Sequence, residues 1–430
     1  MKYTRIVLLL LSMSCSLTVT FSQSPELSLS AAIEKGLERN YGISISRAEL
    51  SISEINNNWG TAGRYPSIAF EASSGNSFDI QDKSINNRLT AGIGMDWLLF
   101  NGFRVNTTKS MLGNTEELSS GRLAVLVENT IEEIILGYYS VLLEQERLGV
   151  LQTVMTLSRD RYEYELKRKS LGSALTYEVL QAENVYLSDK ASFLEQEMRV
   201  RIAKRNLNFI LAEDPAVSFD FTEVFRADTT HYALSDLKEK MLANNRNLKN
   251  QYINLLLKQD ESKLRESAYY PSLSASLGID NTSSRLDAGT AVPTTSNSLS
   301  PYANFRLSYD IYSGGVRKRA VKVAEINEEI AQTETEEMEH ALTNELFNLY
   351  DYHEVRISLL EVAEKSLAAA ELNMKISEEK YKSGVINSFN YRDVQLLYLE
   401  ASLRRLQAIY NLVESKSGLT RITGGYLEEQ

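Results

Sequence analysis

The segment Phe100-Asn101-Gly102-Phe103-Arg104 returns 212 residues later as Tyr312-Ser313-Gly314-Gly315-Val316-Arg317. Each copy stands where an alternating, strand-like run ends and a long proline-free run begins. Glycine suits such a turn because it adopts positive φ without a steric penalty. A glycine turn repeated at the same structural boundary indicates that the chain is an internal duplication.

Three further motif pairs support the duplication at nearly the same spacing. They are Tyr65-Pro66-Ser67 with Tyr270-Pro271-Ser272, Lys169-Ser170-Leu171-Gly172 with Tyr381-Lys382-Ser383-Gly384, and Tyr177 and Gln181 with Tyr391 and Gln395. The offset drifts only from 205 to 214 residues. The spacing predicts one repeat over residues 23–214, a second over 215–420, and a tail over 421–430.

Each repeat has the same predicted order: helix, two strands, long helical hairpin. The first helical runs cover about 31–57 and 235–267. Period-two alternation predicts strands at about 65–77, 89–100, 270–280 and 301–312, joined by polar loops at 78–88 and 281–299. Proline-free runs predict helical hairpins over about 104–213 and 316–416. Helices of such length in an aqueous region favour a coiled coil.

The predicted strands have two different faces. Large apolar residues alternate on one face: Trp97, Phe305, Leu307, Tyr309 and Ile311. Small or polar residues occupy the other: Thr90, Gly92, Gly94, Ser272, Ser274, Ser276, Gly278, Asn304 and Ser308. Four strands cannot close a barrel within one chain, and their open edges would aggregate. Three chains supply twelve strands, a size known among membrane barrels. The alternative is a soluble sandwich stacked on helices.

Composition excludes several functional classes. The chain of 430 residues carries 46 Lys and Arg against 57 Asp and Glu, a net charge of -11, which argues against a nucleic-acid partner. Its three histidines, His231, His340 and His353, lack metal-ligand spacing. No phosphate loop or nucleophile elbow occurs. We therefore expect no catalytic residues, no metal, no cofactor and no enzyme activity.

The first 22 residues resemble a secretory signal peptide. Lys2 and Arg5 precede an apolar core, and small residues stand before Gln23. Two interpretations of Cys15, the chain's single cysteine, stay open: a residue of the signal peptide, or a lipidation site preceded by a poor lipobox. Beyond residue 22 the sequence has no apolar run of about 18 residues, the length typical of a membrane helix.

Together, the signal peptide, the duplication, the helix–strand–strand–hairpin order and the two glycine turns resemble the TolC-like outer-membrane efflux family, the outer membrane factors. The resemblance covers residues 28–420. It implies a mainly α-helical fold with membrane strands, in which a trimeric twelve-stranded barrel in the outer membrane continues as a periplasmic coiled-coil tunnel. It further implies a passive channel of a tripartite efflux or type I secretion system, working with a periplasmic adaptor and an inner-membrane pump.

The resemblance also assigns functional residues at the two helix reversals, which form the periplasmic tip in this family. The residues implied to face the adaptor are Leu171, Gly172, Ser173, Ser383, Gly384 and Val385. The gate residues lie around the same glycines: Asp393 and Asn390 at the narrowest point, Tyr381 as a latch, and Glu178 as its acidic partner. The family's latch arginine is replaced by Ile386, so Arg392 is the candidate substitute.

Three copies of Asp393 around a threefold axis would form a tight anionic ring. Such a ring favours cations and binds multivalent ones. The alternative interpretation is that Asp393 is an ordinary solvent-exposed helix residue without a functional role.

At the level of the whole protein, two other classes compete with a channel. One is an envelope structural or adhesive protein that uses its coiled coils as a spacer, and the other is a periplasmic enzyme with helical insertions. The small and polar strand face favours the channel. The sequence does not specify the cargo or the class of pump.

Overall fold

The computed structural model describes residues 25–289 and 292–427. The predicted signal peptide with Cys15, and residues 428–430, lie outside this part. The first half contains β1 (Glu26–Leu27), α1 (Leu29–Arg39), α2 (Tyr41–Asn56), β2 (Ser67–Asp79), β3 (Ser84–Asn101), α3 (Arg104–Ser170), α4 (Thr176–Ile210) and β4 (Asp220–Phe221). The second half contains α5 (Leu234–Asn244), α6 (Arg246–Glu266), β5 (Ser272–Asp287), β6 (Thr294–Ser308), α7 (Val316–Lys382) and α8 (Ser388–Ile422).

The two halves repeat the same elements at the same lengths. Helices α3 and α7 each have 67 residues, and α4 and α8 each have 35. At about 1.5 Å per residue, α3 and α7 run roughly 100 Å. This agreement confirms the duplicated helix–strand–strand–hairpin layout.

One asparagine in each half divides the first helical run in two, where the sequence predicted a single helix. The Asn40 side chain accepts from the Ile43 amide at 3.2 Å and donates to the Ile210 carbonyl at 3.2 Å. Asn245, 205 residues later, bonds in the same way to Leu248 and to the Ile422 carbonyl. Each asparagine therefore caps a new helix and also satisfies a carbonyl at the end of a long one.

The four long strands form one antiparallel sheet in the order β2-β3-β5-β6. Its register places Trp97, Ala275 and Phe305 in one row of one face. Gly94 pairs with Gly278 on the opposite face, beside rows of serine and asparagine. The predicted separation into an apolar face and a small or polar face is therefore present. The sheet keeps two free edges, at β2 and β6.

The strands extend further than their alternation suggested. β2 and β3 continue through most of the loop predicted at 78–88, and β5 and β6 through most of the loop predicted at 281–299. These extensions are mostly polar, and their few apolar residues, Phe78, Ile85, Leu286 and Leu299, are too isolated to show a period of two although the backbone still pairs. At the other end β6 stops at Ser308, four residues before the predicted limit. Pro301, predicted at a strand start, lies inside β6 at the free edge, where a missing N–H is tolerated.

The helical region also contains a short strand pair and a helix end that the sequence did not indicate. β1 pairs in parallel with β4, and the buried Tyr138 hydroxyl donates to the Leu27 carbonyl at 2.8 Å. Helix α8 continues to Ile422, which is buried with Leu419, so the predicted tail at 421–430 begins as packed helix. Among the described residues no helix has the length and apolarity needed to cross a membrane.

Both strand-to-helix turns use glycine at positive φ, in different surroundings. Gly102 has φ +65°, and an added Cβ would lie 2.4 Å from the Ser267 carbonyl oxygen and 2.7 Å from Tyr270 Cβ. Gly314 has φ +62°, with open space where a Cβ would be. The first turn thus requires glycine for space and conformation, and the second for conformation alone.

This difference predicts unequal effects of the same substitution. Gly314→Ala should lower the free energy of unfolding by about 1 kcal/mol through backbone strain, and Gly102→Ala by about 3 kcal/mol because a clash is added. Thermal unfolding of the detergent-solubilised variants measures this order. Equal losses would contradict the tight packing at Gly102.

Candidate functional site

The two helix reversals close with the same backbone motif. Gly172 and Gly384 have φ of +74° and +75°. The amide after each glycine donates to the carbonyl five residues earlier, at 2.8 Å in both: Ser173 to Arg168 and Val385 to Lys380. This is a Schellman motif, which ends a helix at a left-handed glycine. The predicted glycine turns are therefore present, one in each repeat.

The residues expected to face an adaptor project from these reversals. Leu171 is 82% exposed and Val385 is 70% exposed. Gly172, Ser173, Ser383 and Gly384 are exposed beside them. Both apolar side chains are thus accessible to a partner. Their role in docking stays a prediction.

Two of the expected gate residues form the starts of the returning helices. The Glu178 carboxylate accepts from the Leu175 amide at 2.9 Å. The Asn390 amide donates to the Asn387 side-chain oxygen at 2.9 Å. Both contacts satisfy an amide that the first helical turn would leave free. The Glu178 side chain thus has a local structural task within the protomer, whereas Asn390 takes part only through its backbone N–H.

Tyr381 lies in a buried contact between the two hairpins, but its partner differs from the expected one. Its hydroxyl donates to the Glu165 carboxylate at 2.6 Å, whereas Glu178 is occupied at its own helix start. The Tyr381 ring stacks on Tyr391, with centroids 4.8 Å apart and planes at 5°. Burial raises the pKa of both tyrosines, that of Tyr391 to about 12, so both hydroxyls stay protonated as donors. Within one chain Tyr381 therefore bonds to Glu165 and not to Glu178, and the latch with Glu178 stays a prediction.

Arg392 makes the second polar link between the hairpins. Its guanidinium binds both oxygens of Asp189 on α4, each at 2.8 Å. Ile386, at the position of the absent latch arginine, packs against the tyrosine pair. Nearby Arg161 is buried, and its Nε and one terminal nitrogen find no partner among the described residues. Burial lowers the pKa of this guanidinium from its ordinary value.

Asp393, the proposed ring residue, is exposed on α8. It lies three residues after Asn390, which is also exposed, so both occupy the same helix face. This face points away from the buried Tyr391 and its neighbours. In one protomer both side chains therefore point to solvent, where they could line a channel formed with other copies.

The residues predicted from the sequence did not include Arg161, Glu165 or Asp189. A signal was present, because the buried positions on α3 include Ser158, Arg161 and Glu165, with the three-and-four spacing of a coiled-coil seam. Polar residues on such a seam indicate buried hydrogen bonds. Which residues they would face depends on the packing of two hairpins that are distant in sequence.

The buried histidine, His353, serves the structure. His353 is fully buried, with its ring nitrogens 3.1 Å from the Ser415 hydroxyl and 3.0 Å from the Thr230 carbonyl. Within residues 25–289 and 292–427, no three His, Cys, Asp or Glu side chains are placed to hold a metal ion.

Comparisons with known proteins were made for sequence and for fold. Residues 237–425 match the family model of the outer membrane efflux protein. A search of curated protein sequences finds no match. Among solved structures, CusC superposes with a TM-score of 0.78 at 14% identity, covering 94% of this chain and 93% of its own. VceC of Vibrio cholerae gives 0.77 at 12%, covering 92% and 96%. The CmeC outer membrane channel of Campylobacter jejuni gives 0.75 at 14%, covering 92% and 85%.

The described chain therefore has the fold of outer-membrane channel proteins. Its second half carries the outer membrane efflux protein domain, and the resemblance to the TolC-like outer-membrane efflux family is confirmed. The sequence predicted an outer-membrane location with a periplasmic helical domain. This location is the one that the family has.

Removing one hydroxyl tests the link between the hairpins. Tyr381→Phe leaves Arg168 as the remaining partner of the buried Glu165 carboxylate. This should lower the free energy of unfolding by about 1–3 kcal/mol. We expect faster amide exchange at both reversals, measured by hydrogen exchange on the purified protein. Tyr177→Phe is the control, because Tyr177 is exposed near the first reversal, and it should leave exchange unchanged. Equal exchange in both variants would show that the Tyr381 bond does not hold the tip.

Proposed function

We propose that this protein is the outer-membrane channel of a tripartite efflux or type I secretion system. Three chains form a passive export duct, gated at the periplasmic tip. The duct performs no chemistry, and an inner-membrane pump supplies the energy through a periplasmic adaptor. The observation that carries the proposal is a sheet with one apolar face, one small and polar face, and two free edges, continued by helices roughly 100 Å long.

The sheet favours a barrel that is open to water. An apolar face outside and a polar face inside is the pattern of a membrane barrel. The free edges of β2 and β6 leave backbone N–H and C=O groups unpaired, which lipid does not tolerate. Pairing β6 of one chain with β2 of the next removes every edge. A closed ring of three chains then has twelve strands.

Helix α4 supports association with further copies, because its polarity is inverted. Its face within the protomer buries Ala182, Asp189 and Gln196, spaced by seven. Its outer face exposes Leu180, Leu187 and Leu194, also spaced by seven, at 54%, 51% and 52%. Residues two apart lie about 200° apart around a helix, so the two rows occupy opposite sides. A leucine row at heptad spacing is the seam of a coiled coil with a second copy.

The tip supports gating. The links Tyr381–Glu165 and Arg392–Asp189 each join one hairpin to the other. Asp393 is exposed beside them, and in a threefold assembly its copies meet around the axis. Asn390, on the same face, extends this lining. Leu171 and Val385 provide the exposed apolar contacts for an adaptor.

The competing function is an envelope spacer without a channel. It accounts for the long helices, but it leaves the apolar face of the sheet and the small residues on the opposite face unexplained. We therefore favour the channel.

Single-channel recording in a planar bilayer tests the duct and its gate. We expect small cation-selective openings from the purified protein. Asp393→Ala should give larger openings and weaker block by multivalent cations, because it removes the anionic ring. Glu239→Ala is the control, because it removes the same charge from an exposed position on α5, and it should behave as wild type. If neither the wild type nor Asp393→Ala conducts and the sample is monomeric, the spacer is the better function.

The leucine row predicts the assembly state. Leu187→Asp combined with Leu194→Asp should convert the trimer into monomers, because six carboxylates would enter the seams between copies. Light scattering of the purified protein measures the mass. Ser188→Asp with Ser192→Asp adds the same charge at exposed neighbouring positions and should leave the trimer intact. A trimer in the leucine variant would exclude this row from the interface.

A further inference from the structure

A cavity of about 550 Å³ lies where the apolar face of the sheet meets the helical region. Its walls include Trp59, Arg64, Trp97, Phe100, Phe103 and Asn106. Trp97 shares its row with Ala275 and Phe305 on the apolar face, so the cavity opens outward and not into the polar interior. In the outer membrane this level corresponds to the headgroups of the periplasmic leaflet.

The loop that carries Trp59 and Arg64 is held by its own hydrogen bonds. The Asn58 side chain accepts from the Thr61 amide at 2.9 Å. The Trp97 indole donates to the Arg64 carbonyl at 2.9 Å, which ties the loop to β3. The Arg64 amide donates back to Trp59 at 2.9 Å. The side chains at this cavity are therefore positioned by the backbone before any ligand arrives.

Two cations converge on the Trp59 ring. The Arg64 guanidinium carbon lies 4.5 Å from the ring centroid, and the Lys109 ammonium lies 6.0 Å from it. Lys109 bonds to the side-chain oxygen of Asn57, a neutral acceptor. Glu116 accepts from the other end of Asn57, at 2.5 Å. Across the described ranges, neither cation has a carboxylate within ion-pair distance, so their charge is available to an anion.

The duplication shows that the fold does not require this cluster. At the corresponding positions of the second repeat stand Leu264, Tyr269 and Val321. The arginine at that junction, Arg317, donates to the backbone carbonyls of Ala268 and Asp310. The second repeat thus builds the same strand-to-helix junction without tryptophan, with Arg317 lying 5.6 Å from the Tyr269 ring and bonded to backbone carbonyls. The junction itself therefore does not require the particular set Trp59, Arg64 and Lys109.

We propose that Trp59, Arg64 and Lys109 bind the phosphate of an anionic phospholipid in the periplasmic leaflet. Indole rings reside at membrane interfaces, and paired cations attract anionic headgroups there. The guanidinium supplies donors to the phosphate oxygens, while the acyl chains lie along the apolar face beyond Trp97. The site rests on the proposed barrel but is independent of the periplasmic gate.

The chain carries its own reporter, since its two tryptophans, Trp59 and Trp97, both line the cavity. Bromine on a lipid acyl chain quenches tryptophan fluorescence on contact. The experiment titrates phosphatidylglycerol with brominated chains into the full-length protein in detergent, and repeats it with brominated phosphatidylcholine. We expect saturable quenching by the anionic lipid at a roughly tenfold lower concentration than by the zwitterionic one.

Variants of the cations distinguish binding of the anionic headgroup from general contact between the tryptophans and lipid. Arg64→Ala with Lys109→Ala should abolish the preference for the anionic lipid while both lipids still quench. Lys238→Ala with Lys240→Ala removes the same charge from exposed positions on α5 and should keep the preference. A third variant, Arg64→Tyr with Lys109→Val, installs the second repeat's residues. It should fold and lose the preference, which keeps the test valid if alanine destabilises the loop.

The outcomes are distinguishable. Equal quenching by the two lipids in wild type, or an unchanged preference in both cation variants, overturns the site. If inorganic phosphate occupies the site and saturating phosphatidylglycerol does not displace it at constant ionic strength, the site takes free phosphate and the lipid assignment is wrong. Single-channel conductance of the cation variants should match wild type. Loss of conductance in the wild type itself would concern the proposed channel and not this site.

Discussion

A β-strand in lipid must pair all of its backbone N–H and C=O groups, and a four-stranded sheet with free edges cannot do so alone. The order β2-β3-β5-β6 leaves two edges open and presents an apolar face. The long helices also leave apolar surface uncovered. Helix α4 buries Asp189 and Gln196 inside the protomer and exposes a row of leucines. Both features are satisfied by the same change, the addition of further copies around an axis. The protomer thus leaves uncovered the edges and the leucine row that the proposed trimer would bury.

The duplication allows structural requirements to be distinguished from functional ones. Where both repeats keep a residue type, the backbone explains it: Asn40 and Asn245 join helix ends, and Gly172 and Gly384 close Schellman turns. Where the repeats differ, the common backbone offers no such explanation. The cluster around Trp59 exists in the first repeat alone, and the exposed Asp393 exists in the second repeat alone. Arg392, the neighbour of Asp393, binds Asp189 of the first repeat.

The buried polar links at the tip have an energetic meaning. Removing charges from water costs free energy that an ion pair barely recovers, so such pairs contribute more to a defined arrangement than to stability. The Glu165 carboxylate and the Arg392 guanidinium each bind a partner on the opposite hairpin. Separating the hairpins would break both links together and expose Arg161. The two links and the burial of Arg161 therefore depend on the same packing of the hairpins.

The sequence by itself determined the duplication, the order of the elements, the two faces of the strands and the glycine reversals, because each depends on local periodicity or on a conformation open to few residue types. It also placed Leu171 and Val385 at exposed turns. It could not give the strand ends beyond the apolar band, since isolated apolar residues in a mostly polar segment show no alternation. Nor could it give the partners of Tyr381 and Arg392. Glu165 and Asp189 are 216 and 203 residues away, and only the packing of one hairpin against the other brings these side chains together.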